Sequence, residues 1–319
     1  MKRYPLKLSY VAKTALWGGN NLSEGFNKNS DFDKISETWE LSVRDDAESV
    51  ILSGEAEGKT LREYFDEVGY DAVSPDFKKG DRFPLLIKFI DANDRLSLQV
   101  HPDDAYASSV ENDSGKTEMW YIVSAKENAT IIYGLGEGTS EEDFADSIRN
   151  GRTAEAVATV PVKAGESYFI PSGLVHAIGE GIIIAEIQQN SDLTYRVYDY
   201  DRVGADGKKR ELHVEKAVAV TRGFTQAEID GICYSRGAKK EGILADCEYF
   251  KVELLSACGE EKRFVSGESF ESLLILDGKG EISFGKDKYP AAKGDSWYLP
   301  AGMGEYTLSG DIKAISSKI

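Results

Sequence analysis

The sequence predicts a mainly β protein made of two similar small β-domains, the first carrying a helical insertion, and three observations predict it. Residues 164–178 (AGESYFIPSGLVHAI) and 293–307 (KGDSWYLPAGMGEYT) share G-[ED]-S-[YW]-[FY]-[IL]-P-[SA]-G-[LM] in register at an offset of 129. A looser match pairs residues 118–123 (EMWYIV) with 271–276 (ESLLIL) at an offset of 153. The offsets differ by 24, about the length of a helix-patterned segment at 139–159, so the insertion falls inside the first copy. Most other patterned runs alternate apolar and polar residues with period two, as strands do. The expected domains are 1–235 and 236–319.

Residues 1–55 read as short irregular strands, with a Gly-Gly-Asn-Asn turn at 18–21 and a strand over 38–43 (TWELSV). Trp17 and Trp39 are expected in the core. Thr60 can cap a helix over 61–68, with Glu63 at its third position. Residues 84–90 (PLLIKFI) form an apolar strand interrupted by Lys88, and a buried ammonium needs a reason, which makes Lys88 a site candidate.

Residues 96–102 (LSLQVHP) alternate strictly. Leu96, Leu98 and Val100 share one strand face, while Ser97, Gln99 and His101 share the other. Pro102 cannot donate to a ladder, and Asp103-Asp104 follow, so the strand ends with His101 near its mouth. An imidazole and an amide oxygen so placed could grip a metal; the plainer reading is a half-buried strand with a satisfied histidine. A turn at 114–116 leads into a strand over 117–124 that sets Lys116, Glu118 and Trp120 on one face, which suggests a polar pocket.

Ser140 caps the segment 139–159, read as helix with a break near Asn150-Gly151, and strands resume at Ala164. Two alternating strands follow, 181–190 and 193–202. The first points Glu186, Gln188 and Asn190 one way, and the second does so with Arg196, Tyr198, Tyr200 and Arg202. A helix over 214–221 is the only further interruption before the C-terminal third.

Composition excludes several function classes. The 319 residues, 41% hydrophobic and 29% charged, suit a soluble globular protein with room for two cores. A net charge of −17 repels nucleic acid and anionic membrane, so neither is an expected partner, and an anionic substrate needs a local basic pocket. Cys233, Cys247 and Cys258 are odd in number and form no C-x-x-C pair, which fits a reducing cytoplasm. Lys7 and Lys13 break up any apolar run near Met1, so neither a signal peptide nor a membrane span is expected.

The repeat also distinguishes its two copies. In the first, Gly165, Pro171, Gly173 and His176 fit G-x5-P-x-G-x2-H, which resembles the second signature motif of the cupin superfamily, whose jelly-roll barrels hold a metal among their strands. The second keeps Gly294, Pro300 and Gly302 but has Glu305 at the histidine position. It reads as a scaffold domain without metal, and the fold class becomes two cupin-like (jelly-roll) β-domains with short helical insertions.

Four ordered stretches narrow the resemblance: 97–102 (SLQVHP), 116–121 (KTEMWY), 171–176 (PSGLVH) and 186–199 (EIQQNSDLTYRVYD). Together they resemble the type I mannose-6-phosphate isomerase family in its short bacterial form, with 16–19 (LWGG) and 37–42 (ETWELS) supporting the match. The resemblance implies a zinc, one per chain, held by Gln99, His101, Glu118 and His176, a donor set that suits a borderline divalent ion. The third histidine, His213, is expected on the surface at a helix start.

It further implies Arg196 as the catalytic arginine, and Glu186, Lys116, Lys88 and Ser97 as the lining of a sugar phosphate pocket. Arg202 joins that pocket by strand parity and family position. Moving a carbonyl between C1 and C2 needs a base for the proton alpha to it and a positive group for the resulting oxyanion. Glu186 or Lys116 could be that base. A non-haem iron oxygenase of cupin fold is a rival reading, against which Gln99 and the Arg/Lys cluster count. A metal-dependent sugar-phosphate-binding module without turnover is another. Oligomeric state is not legible.

Overall fold

The computed structural model describes residues 2–204, 207–224, 228, 238–239 and 241–319. Cys233 and the expected boundary at 235/236 lie outside the described residues. The strand Leu85–Ala92 is buried along its whole length, as an apolar run sandwiched between two layers should be. It belongs to a six-stranded antiparallel sheet in the order Ser167–Ile170, Glu118–Ala125, Ile182–Gln189, Leu85–Ala92, Glu37–Leu41, Val11–Lys13.

Alternate residues of that strand serve different cores. Leu85, Ile87 and Phe89 pack with Phe250, Leu254, Phe270 and Tyr298 of the C-terminal sheet. Ile90 and Ala92 face the other way, packing with Trp120, Ile122, Ile131 and Ile178. Lys88 shares this second face, which looks onto a five-stranded sheet in the order Val157–Pro161, Thr130–Leu135, His176–Ile178, Leu98–Val100, Tyr195–Tyr198. The outer face of the five-stranded sheet is apolar too. There Leu98, Val100, Ala177 and Val197 are covered by Phe144 and Ile148 of the helix Glu141–Arg149, and by Ala217 and Val220 of the helix Val214–Val220. The helical insertion thus supplies the layer that this sheet needs.

The C-terminal sheet runs Leu6–Leu8, Ser296–Leu299, Glu271–Phe284, Gly304–Lys318, Lys251–Val265, Gly242–Asp246, with Asp287–Ala292 beside Glu271–Phe284. Its first strand comes from the chain's start, Leu6 lying opposite Tyr298. Both repeat offsets hold in its register. Ile170 pairs with Glu118 and Leu299 with Glu271, so one ladder satisfies 129 and 153 together. Gly294 has φ +89°, and a Cβ there would stand 2.2 Å from the Phe26 carbonyl oxygen, which explains why the repeat keeps glycine at that position.

Several expectations need correction. Helix stops at Arg149 and strand returns at Val157, not Ala164; Gly151, at φ +68°, breaks the helix. The helices Asn21–Phe26 and Asp104–Glu111 were not expected. Asp103 follows the expected strand end and caps the latter helix by accepting the Tyr106 N–H at 2.9 Å. Leu96 packs with Trp17 between the sheets, while Leu98 and Val100 face the helices, because regular strand begins only at Leu98. The stretch 193–202 is strand only over Tyr195–Tyr198, with a bulge between Arg196 and Tyr198. Tyr200 and Asp201 are left-handed, both at φ +56°, so the period of two fails before Arg202. His213 does precede a helix, but it is half-buried, with Nδ1 3.3 Å from the Arg196 nitrogen.

Candidate metal centre and its cavity

Strand register brings the expected ligands together. Gln99 and His176 lie directly opposite each other within the five-stranded sheet, and Glu118 opens a strand of the facing sheet. Ligand atoms of His101, Glu118 and His176 lie within 4.8 Å of one another. Nε2 of His101 is 3.5 Å from one Glu118 oxygen, and Nε2 of His176 is 3.4 Å from the other. The Gln99 amide is 3.4 Å from His176 Nε2.

The second nitrogen of each ring fixes its tautomer. Nδ1 of His101 meets the Leu193 carbonyl at 2.7 Å and Nδ1 of His176 the Leu174 carbonyl at 2.8 Å. A carbonyl only accepts, so each Nδ1 carries the proton and each Nε2 turns a lone pair into the cluster. His101 Nε2 and both Glu118 oxygens are buried without a hydrogen-bond partner, one Glu118 oxygen having only an ion-pair contact with Lys116 Nζ at 3.3 Å. Convergent orphan acceptors are costly alone and are satisfied together by a divalent cation, so the residues fit a metal. Burial lowers His176 to about 4 and, with the Lys116 cation close by, holds His101 well below its ordinary value. Burial pushes Glu118 up to about 7, with Glu186 adding to the effect and Lys116 opposing it.

Beside the cluster a cavity of about 130 Å³ is lined by Lys88, Ser97, Gln99, Lys116, Glu186 and Arg196, six of the residues expected at the site. Lys88 Nζ lies 3.2 Å from Glu186 and 3.6 Å from Glu37, which is why an ammonium can be buried there. Burial alone would lower Lys88, but those two carboxylates raise it above the ordinary lysine range. Burial pushes Glu186 up, yet Lys88, Lys116 and the Trp120 N–H donated at 3.0 Å outweigh it and leave the carboxyl below its usual value. Lys116 Nζ is 3.3 Å from Glu118. Arg196 donates from Nε to the Ser97 hydroxyl at 3.3 Å and from Nη1 to the Glu211 carbonyl at 3.0 Å.

His101, Glu118 and His176 stand in the adjoining cluster, and of the residues expected in the pocket Arg202 alone is outside this lining. Its guanidinium donates to Asp199 and to the Arg95 carbonyl, each at 2.5 Å, because the left-handed pair before it turns the chain. Arg210 lines the cavity instead, held by Asp199, which accepts its Nε at 2.8 Å. Trp17, Glu37, Asp192 and Thr194 also line it, with Ile90, Leu96 and Ile178 as its apolar part. Glu37 was discoverable, since period two puts it on the face of Trp39, whose register partner is Lys88. Arg210 sits in a segment without periodicity and gave no signal.

The second copy has the same carboxylate but no such ligand set. Across the ladder from Trp120 stand Glu186 and then Lys88; from Leu273, at the offset of 153, stand Ser316 and then Glu253. A carboxylate thus replaces Lys88. Glu271, the counterpart of Glu118, accepts from Ser316 at 2.6 Å, Tyr306 at 3.0 Å and Arg263 at 3.1 Å. Arg263 also donates to Glu253 and Glu261, each at 2.9 Å. Glu305 faces water, 67% exposed, with Lys262 3.8 Å away.

A mainly β fold with, among the described residues, one buried His-Glu-His cluster defines a cupin-type protein. Residues 6–117 match the family described as phosphomannose isomerase type I, catalytic domain, and residues 240–319 match mannose-6-phosphate isomerase, cupin domain. Mannose-6-phosphate isomerase ManA of Bacillus subtilis is 37% identical over 327 residues, covering the whole of both chains. The Streptococcus mutans mannose-6-phosphate isomerase is 37% identical over 98% of both. A crystal structure of the Bacillus subtilis mannose 6-phosphate isomerase superposes with a TM-score of 0.88 at 37% identity, covering 99% of each chain. A Salmonella typhimurium phosphomannose isomerase variant shares the fold at 14% identity, TM-score 0.80 and 98% coverage of each chain. The chain belongs to the type I mannose-6-phosphate isomerase family.

Proposed function

We propose that this chain interconverts mannose 6-phosphate and fructose 6-phosphate, using a divalent ion held by Gln99, His101, Glu118 and His176. Zinc, one per chain, is the ion that two imidazoles, a carboxylate and an amide oxygen suit best. The observation that carries the reading is the orphaned acceptor set adjoining a cavity walled by Lys88, Lys116, Arg196 and Arg210. Bound there, the ion supplies Lewis-acid polarisation of a carbonyl.

The chain's own residues do the rest. Glu186, kept ionised by Lys88 and Trp120, can take the proton alpha to the carbonyl; Lys116, which lines the same cavity 3.3 Å from Glu118, is the alternative base. Arg196, pinned by Ser97, offers a planar fork to developing oxyanion charge. Lys88 and Arg210 add positive charge for the phosphate, and Arg202 acts on it through the shared Asp199. Domain 1–235 carries the reaction and 236–319 is its scaffold. Among the described residues no helix is long and apolar enough to cross a membrane. Cys247 and Cys258 are free, which fits the reducing cytoplasm we propose as its location.

The test is a coupled assay of fructose 6-phosphate formed from mannose 6-phosphate, with oxygen excluded. Turnover should depend on added divalent ion and vanish, together with bound metal, in His101→Ala and His176→Ala. Full activity in exhaustively chelated protein would reject the metal reading, and oxygen uptake with bound iron would favour an oxygenase.

A further inference from the structure

We infer that Gln188 is a positioning residue for the metal centre: its amide shapes the turn at 189–193 that presents the Leu193 carbonyl to His101. Gln188 is fully buried on the strand Ile182–Gln189, directly across from Glu118. Its Nε2 donates to the carbonyls of Gln189 at 2.8 Å and Ser191 at 2.7 Å. Ser191 is itself buried, so its carbonyl would be costly to leave without a donor. The Gln188 Oε1 has no partner. A side chain selected for polarity alone would use both ends, so this one is kept for its N–H groups.

The turn is tied at other points as well. The Asn190 N–H reaches the Pro84 carbonyl, and its Nδ2 the Phe83 carbonyl, both at 2.9 Å. The Ser191 hydroxyl accepts the Leu193 N–H at 3.3 Å. What the turn delivers is the Leu193 carbonyl, 2.7 Å from His101 Nδ1. That contact decides which ring nitrogen carries the proton. If the carbonyl swings away, Nε2 is free to become the protonated nitrogen, and the ligand lone pair is lost. Asp192 and Thr194, on either side of Leu193, also line the cavity.

The inference rests on the metal reading above, and its test separates the two. Co2+ titrated into chelated protein and followed by visible absorbance gives a dissociation constant that does not depend on turnover. Gln188→Met keeps the length and removes both donors; it should weaken Co2+ binding by on the order of tenfold, as loss of outer-shell support does. In the chelated variant, nitrogen NMR shifts of His101 should show both tautomers where the parent chain shows only the Nδ1–H form. Ser191→Ala is a gentler change to the same turn and should move both readouts in the same direction by less, which keeps the test available if Gln188→Met does not fold. Parent-like Co2+ affinity and a single His101 tautomer in the folded variants would overturn the inference. A parent chain that takes up no Co2+ overturns the metal reading, and this inference with it.

Discussion

Glu118 and His176 hold their protons in separate pH windows, since burial sets the first at about 7 and the second at about 4. Between those values the metal-free site carries one exchangeable proton, on Glu118, and a cation entering it displaces that proton. Metal affinity should therefore be flat above pH 7, weaken about tenfold per pH unit below it, and fall more steeply once His176 titrates near pH 4. Calorimetry in two buffers of different ionisation enthalpy counts the protons, and release of two at pH 6 would contradict the assignment. In the chelated protein the two groups link folding to pH with opposite signs. Glu118, raised, contributes stability at low pH that is lost as pH rises towards 7, and His176, lowered from 6.5, contributes stability that is lost as pH falls towards 4. Arg196 bridges Ser97 and the Glu211 carbonyl with a planar fork, so Arg196→Lys should not rescue the kcat/KM lost in Arg196→Ala. Unphosphorylated mannose forfeits at least two charge-assisted bonds of roughly 1.5–3 kcal/mol each, and kcat/KM measured for both sugars should differ by about a hundredfold or more. Equal values would remove the phosphate from the cavity. At the residue scale the sequence was legible where parity was regular, as for Gln99 and His101, whose side chains both reach the cluster, and where burial made a charge conspicuous, as for Lys88. The reading failed at Arg202, because two left-handed residues end the parity, and Arg210 lay in a segment without a period.

At the level of elements, local chemistry was legible and cover was not. The helix Leu61–Val68 begins where Thr60 and Glu63 said it would, the Thr60 hydroxyl accepting the Glu63 N–H at 3.2 Å and the Glu63 carboxylate the Thr60 N–H at 2.9 Å. Thr60→Ala should cost about 1 kcal/mol, read as a lower urea midpoint with unchanged activity. The helix Asp104–Glu111 has a side-chain cap in Asp103, without a reciprocal capping box, and the proline before it makes that aspartate read as the end of a strand. Leu96 was misread because the alternation of 96–102 continues one residue pair beyond the hydrogen-bonded strand. The repeat sets an expected ligand, Glu118, against Glu305, which stands where the second copy lacks the counterpart of His176. Glu118→Gln should lower both metal content and turnover, whereas Glu305→Gln, on an exposed side chain, should leave both unchanged; a metal found beside Glu305 in a crystal would refute this.

The whole molecule is joined by contacts far apart in sequence. The N-terminal strand Leu6–Leu8 completes the C-terminal sheet, and the buried Lys28 donates to Glu40 at 2.7 Å and to the Gly294 carbonyl at 2.6 Å. Breaking such a pair leaves an uncompensated buried carboxylate, so Lys28→Met should lose about 3–5 kcal/mol. Adding Glu40→Leu should restore much of it, and chemical denaturation of the three variants measures both. Neither connection was legible, because a repeat reports similarity between two segments and is silent about which of them the rest of the chain grips.

The Arg263 cluster has a consequence for how each half meets its surroundings. The duplicated fold buries the same carboxylate twice, Glu118 in a cluster that could hold an exchangeable ion and Glu271 against a tethered guanidinium. A tethered counter-ion cannot be starved, chelated or replaced by a competing metal. The backing layer behind Leu85, Ile87 and Phe89 therefore keeps its charge balance whatever the supply of ions in the cell, and metal scarcity should silence this protein without dismantling it.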